Sequence, residues 1–327
     1  MNQQLQEKCN LFGINREKIA KQFTWESAYI IPVSSMLYTG QNTMADIEKL
    51  KMCNSIVKKK AGAFSSFRGC VKMALVTEMA LSQEPEVFFD QVSQIYKMLK
   101  KAGWSGSEHL VAAAMAIAGA MDAGEAGAVI DRTRALYDGM KKKHPFLTSS
   151  EDIAFAVLLA MSGLEQEELL AEMETCYNTL KPSFLSSNAV QMLSHILALD
   201  TREAQVKCRQ VLDLQDQLKR RGKRFDSNSL AILGGLVLLD IEQEKLVSEI
   251  VEADEYLKGQ KGFGVFGIGE KQRLLYAALL VMDRYVTEKE SMQMTMITSA
   301  VATILAQQMA MILAVTSVNA AMVASNS

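Results

Sequence analysis

The sequence predicts an all-α protein, an α-α superhelix of about six helical hairpins with a repeat of ~40 residues, and three observations lead there. One phrase recurs, an aromatic followed by small hydroxylated residues, at Phe64-Ser65-Ser66, Trp104-Ser105, Phe146-Leu147-Thr148-Ser149, Phe184-Leu185-Ser186-Ser187 and Phe225-Asp226-Ser227. Its steps are 40, 42, 38 and 41 residues, and a worn copy at Phe266 lies 41 further on. The segments between copies are apolar at helical spacing, and only four prolines interrupt 327 residues that are 49% hydrophobic. Finally, no Pro/Gly/Ser-rich linker divides the chain, so stacked units, rather than separate domains, account for a length beyond one compact core.

The phrase has a physical meaning. A Ser, Thr or Asn before an apolar run accepts a hydrogen bond from an orphan amide of the first helical turn. An acid three places on completes a capping box, as for Thr148 with Glu151 and Ser105 with Glu108. The aromatic ahead of it is expected to pack on that first turn as a hydrophobic staple. A second mark follows near the end of the next helix: Tyr96 with Leu99, Tyr137 with Met140 and Tyr177 with Leu180, then Gln215 with Leu218.

Taken in order, residues 1–22 read as a polar lead-in helix, and an atypical first hairpin spans 23–60. Further hairpins fall at 62–102, 103–144, 145–183, 184–223 and 224–261, with a closing helix at 270–285, all in one domain of residues 1–290. Pro85, Pro145 and Pro182, with Gly62, Gly103 and Gly222, stand where helices should break. Residues 291–327 carry no charge and form a separate helical segment, long enough to span a bilayer but with Gln307 and Gln308 at its centre. Two closures fit the count, an open solenoid or a closed α/α toroid. A solenoid would offer a concave surface to a macromolecule; a toroid would enclose a pocket for a small or apolar ligand.

Composition sets the compartment. Five cysteines, odd in number and unpaired in spacing, read as reduced thiols, and the start of the chain has no apolar signal region, so a cytoplasmic protein is expected. Net charge is -2, which neither demands nor excludes a polyanionic partner.

Chemistry-bearing patterns are sparse. Gly262 to Gly267 matches G-x-G-x-x-G, but a dinucleotide loop needs a preceding strand, and the residues before it form an amphipathic helix pattern. His109, His144 and His195 have no metal-ligand spacing; His144 ends a lysine run, and His195 lies in an apolar stretch as a satisfied core histidine. No catalytic set, cofactor or metal is expected. The most patterned charge is basic and recurs where each hairpin's second helix ends. From it, Lys141, Lys142, Lys143, Lys219, Arg220 and Arg221 are candidate contacts for an anion or partner, although cations there also favour the helix macrodipole. Arg68 joins them because it enters a first helical turn, where a cation opposes the dipole, and it is expected to find a structural partner or a ligand anion.

At SSFRG (Ser65 to Gly69), HPFLTSSED (His144 to Asp152) and QMLSHILAL (Gln191 to Leu199), the chain resembles an uncharacterised bacterial all-helical family catalogued as a domain of unknown function. The resemblance spans residues 20–290 and implies a bacterial cytosolic protein with no assigned catalytic residues. The leading expectation for function is a non-enzymatic interaction or scaffold protein with a protein partner. The alternative is an α/α-toroid enzyme or binder of an apolar ligand, and the third is binding to nucleic acid or an anionic membrane through the basic edge, with 291–327 as a membrane contact.

Overall fold

The computed structural model describes residues 1–24, 26, 28–62, 65–263 and 268–288. Trp25, Phe64, Phe266 with the Gly264–Gly267 part of the glycine-rich phrase, and the uncharged segment 291–327 lie outside the described residues. Fourteen α-helices and no strand occur among the described residues. They pack as consecutive antiparallel pairs: α1 (Gln3–Gln22) with α2 (Ile31–Gly40), α3 (Ile47–Lys60) with α4 (Lys72–Leu81), α5 (Pro85–Lys101) with α6 (Glu108–Ala120) and α7 (Gly127–Lys143) with α8 (Ile153–Met161). Then follow α9 (Gln166–Leu180) with α10 (Ser187–Leu197), α11 (Ala204–Arg220) with α12 (Ile232–Leu238) and α13 (Gln243–Lys258) with α14 (Glu270–Glu288).

This pairing runs one helix out of phase with the sequence hairpins. Each phrase begins the second helix of a tight pair, so the lead-in helix α1 and the closing helix α14 belong to the repeat, making seven pairs.

Two layers result, and their sequences show why. The even-numbered helices are largely surrounded: α8 (IAFAVLLAM) and α12 (ILGGLVL) are apolar on every face, with Ile153 to Ala160 and Ile232 to Leu238 buried throughout, and α14 buries Arg273 and Arg284 in ion pairs with α13. A helix apolar all round is stable only when surrounded. The odd-numbered helices carry one stripe, as in α5, where Phe89, Val92, Ile95 and Leu99 are buried and the opposite face is polar. Even helices therefore form an inner layer and odd helices an outer one. At Gly234 in α12, a Cβ would lie 2.9 Å from Ile196 Cγ2 of α10, so only glycine permits this approach of two inner helices.

The layers close on themselves. Each inner helix packs on the next except that α4 reaches α6 mainly through the short 3-10 turn Ser66–Arg68, and α14 packs on both α12 and α2. Outside, α1 packs on α13 as well as on α3. Phe12 of α1 stacks on Tyr276 of α14 with ring centroids 5.3 Å apart. Lys8 meets Asp283 at 2.5 Å, and Arg16 donates to the Lys261 carbonyl at 2.9 Å. The α-α superhelix is thus a ring of seven helix pairs. Its core runs continuously between the two layers.

Candidate functional site

Ring topology puts every phrase within the described residues on one rim, because each joins the end of an outer helix to the start of an inner one. Local capping follows the expected chemistry with shifted registers. Ser149, not Thr148, caps the turn into α8, and Asp152, not Glu151, completes its capping box. Before α6 the cap is Ser107, two residues later than Ser105; Glu108 instead accepts from the Val71 amide of the preceding pair. Ser186 caps α10 by accepting from the Ala189 amide.

The aromatic of the phrase is buried at some copies and exposed at one, and the ring contact that Trp104 makes is with the next outer helix, not with the first turn of its own inner helix. Trp104 is buried with its ring edge-on to Tyr137 at 6.0 Å, and Phe225 is buried. Phe146, however, is 99% exposed. The reason is a competitor two residues earlier: His144 stacks at 4.4 Å on Tyr177, the contact that Trp104 makes with Tyr137. His144 lies 40 residues after Trp104 and 40 before Phe184, the register that Phe146 misses by two. In the adjacent phrase Leu185 is likewise 98% exposed, beside a half-buried Phe184.

Behind Phe146 the same phrase builds a polar cluster inside the ring. Lys141 donates to the Thr148 carbonyl at 2.6 Å, Gln191 of α10 donates to the Thr148 hydroxyl at 2.8 Å, and the Ser149 amide donates to Asp152 at 2.8 Å. His144 meets Glu174 of α9 at 3.0 Å. Asp152 is 0% exposed, and its second oxygen stands 3.8 Å from Nδ1 of His195, which is 2% exposed. That separation is too long for a hydrogen bond. Asp152 Oδ1, His195 Nδ1 and Gln191 Oε1 are buried without a hydrogen-bond partner among the described residues. His195 is therefore a core histidine, but not a satisfied one.

Burial governs the charge of this cluster. It pushes the Asp152 carboxyl up to about 7, with the Ser149 amide opposing, and it pushes His195 down to about 3, with His144 adding to the effect. Both groups favour their neutral forms because a lone buried charge has no solvent to stabilise it. A cleft of about 10 Å³, bordered by His144, Glu174, Gln191, Ser194 and His195, touches the cluster and has room for about one water. Asp152 does not border it. The arrangement can hold a proton on the buried Asp152 carboxyl, and the cleft that reaches His195 does not reach Asp152.

The proposed contact residues sit elsewhere on this rim. Lys142, Lys143, Lys219, Arg220 and Arg221 are exposed and make no ion pair among the described residues, whereas Lys141 is occupied by Thr148. Arg68 donates through Nη2 to the Lys58 carbonyl, closing the end of α3, and no acid pairs with it among the described residues. With Lys58, Lys59, Lys100 and Lys101, these cations mark the ends of four outer helices. The opposite rim has the other sign. Each of its six connections carries at least one acid, and the one cation within those connections, Arg202, is paired with Asp200 and Asp240; Lys8, Lys49 and Lys207 of adjoining helices are likewise occupied, by Asn42, the Ser82 carbonyl and the Asp200 carbonyl. Of the parallel outer helices, α3, α5 and α13 carry acids in their first turns and bases in their last ones, and α1, α7 and α11 carry the bases alone, so each satisfies its macrodipole locally. Ring closure aligns them, so a chain of net charge -2 separates its charge between two faces.

Among the described residues, no group of His, Cys, Asp and Glu has the geometry of a metal site, and no helix is long and apolar enough to cross a membrane. The G-x-G-x-x-G phrase follows the helix α13, not a strand.

Comparison with known proteins agrees with this reading of the chain. A protein of Bacillus subtilis named Uncharacterized protein YeaA is 23% identical over 267 residues, covering 79% of this chain and 81% of the relative. No solved structure matches. This chain belongs to the family described as Protein of unknown function (DUF4003), whose model matches residues 15–309.

Proposed function

We propose that this protein is a non-enzymatic interaction module, a ring whose working face is the basic rim carrying the phrases. The observation that supports this is the charge separation: cations without ion partners gather on one rim while acids line the other. Ring closure removes the open concave surface that a solenoid would use, and the rim is the face left to meet a partner. Neither the family description nor the relative's name carries an activity. A cytoplasmic setting suits five cysteines that are all free thiols.

The test is capture of bound molecules by the full chain and by two charge-reversed forms. Reversal on the basic rim (K142E, K143E, K219E and R220E together) should abolish capture of the partner; reversal on the opposite rim (E242K and E244K) should leave it. Equal loss from both forms, or turnover of any substrate by the unaltered chain, would sink the reading.

A further inference from the structure

We infer that the partner of the basic rim is an anionic lipid surface, on which Phe146 and Leu185 insert while the flanking cations hold the headgroups. This rests on the reading of the rim as the working face and names what that face meets. Two independent features converge there. Phe146 and Leu185 are 99% and 98% exposed, far beyond the next large apolar side chain, Met44 at 59%. Neither contributes to the core, and the staple slot beside Phe146 is filled by His144. They stand on connections of neighbouring pairs, 7–8 and 9–10 in helix number, so about 10 Å separates the two outer helices from which they project.

The second feature is the charge around them. Exposed Lys142 and Lys143 precede Phe146, half-buried Lys181 precedes Leu185, and the exposed basic ends of other outer helices continue around the same rim. All are carried on the ends of parallel helices in one closed ring, so they share a single face instead of wrapping a groove. A protein pocket would have to receive two separate protruding tips and a broad arc of cations at once. A fluid anionic interface accepts both without shape matching: apolar tips enter the headgroup boundary, and each nearby Lys or Arg gains about 1 kcal/mol from the surface potential. The acidic rim faces away from that surface, which fixes one orientation. Interleaved aromatics that would stack on nucleic-acid bases are lacking on this arc among the described residues, where Phe146 is the only fully exposed aromatic.

The experiment is co-sedimentation of the full chain with phosphatidylcholine vesicles and with vesicles containing about 30% phosphatidylglycerol, at low and high salt. Binding should require the anionic lipid and weaken as salt rises. The double variant F146A/L185A should lower the partition coefficient by roughly tenfold or more, since burial of two large apolar groups is lost, and K142E/K143E should lower it by about thirtyfold or more, since two attractive charges are replaced by repulsive ones. Both pairs are exposed, so circular dichroism should be unchanged. As an independent readout, emission from F146W should shift to the blue only with anionic vesicles. Binding unaffected by either variant would place the contact elsewhere, residues 291–327 included, and overturn the inference. So would F146A/L185A that dissociates a dimer without changing vesicle binding. Failure on vesicles together with charge-sensitive capture of a protein or nucleic acid would leave the rim reading standing and remove only the lipid; insensitivity in both assays would remove the two together.

Discussion

Asp152 and Asp254 are both wholly buried, three helix pairs apart in the same ring, and they are answered in opposite ways. Asp254 receives Lys223 at 2.6 Å and two bonds from Arg273 at 2.8 and 3.1 Å, which tie α13 to α14 and to the connection after α11. Asp152 receives one amide and faces a histidine out of bonding range. The first site matches a carboxylate with fixed cations; the second is accommodated by surrender of charge. A buried acid in this fold is thus either a clamp between segments or a group whose protonation is linked to folding. Asp254 sits near the seam where α13 and α14 meet α1, and Asp152 sits within the run of repeats.

Breaking the clamp should have the largest effect. In Asp254→Ala, Arg273 remains buried without its acid while Lys223 keeps only the half-exposed Glu255, and removal of one member of such a group costs about 3–5 kcal/mol. The urea midpoint should fall accordingly; a loss below about 1 kcal/mol would mean that solvent reaches the two cations and that the seam does not depend on them.

A subtler expectation sharpens the contrast through pH. Asp152 has its folded value raised to about 7, so its contribution is fully present below its unfolded value and is lost as pH rises through 7. His195 has its folded value lowered to about 3, so its contribution is present above its unfolded value of 6.5 and is lost as pH falls towards 3. Between pH 4 and 6.5 the two slopes oppose each other, at about 1.4 kcal/mol per pH unit each. Relative to the unaltered chain, Asp152→Asn should gain stability as pH rises through that window, because the aspartate slope is gone. Relative to the same reference, His195→Gln should lose stability as pH rises, because the histidine slope is gone. Glu78, whose carboxyl burial also pushes up to about 7, adds the same slope to all three proteins and drops out of the differences. Parallel stability profiles for the two variants would show that the pair does not titrate in this way.

The smallest expected change is at the surface. Phe146→Ala should alter unfolding free energy by no more than about 0.5 kcal/mol, because the side chain packs on nothing. Trp104→Ala, at the corresponding slot of an earlier phrase, removes a buried ring and should cost about 3–5 kcal/mol. Similar losses from both would mean that Phe146 is packed in solution.

Much of the ring was readable because helix formation and capping are local. The repeat steps, the apolar inner segments and the striped outer ones all follow from residues within about two turns of each other. Registers finer than that were not. Phe146 and His144 compete for one slot against Tyr177, and the winner depends on the geometry of a neighbouring helix whose Tyr177 lies 33 residues beyond His144. Signals for the cluster were present in part: Asp152 stood in a capping motif and His195 in an apolar run, but their separation of 43 positions hid that adjacent pairs bring them together. The spacing of about one repeat was the available clue.

By itself the sequence determined helix content, the seven starts of inner helices apart from those outside the described residues, and the recurrence of bases at outer helix ends, since each depends on short-range hydrogen bonding and periodicity. Only the tertiary structure decided that the superhelix closes. Closure depends on the sum of small rotations between successive pairs, which no single repeat encodes, and on contacts such as Phe12 with Tyr276 between residues 264 positions apart. That same closure gathered local dipole complements into one basic and one acidic rim, turning a property of individual helices into a property of the molecule.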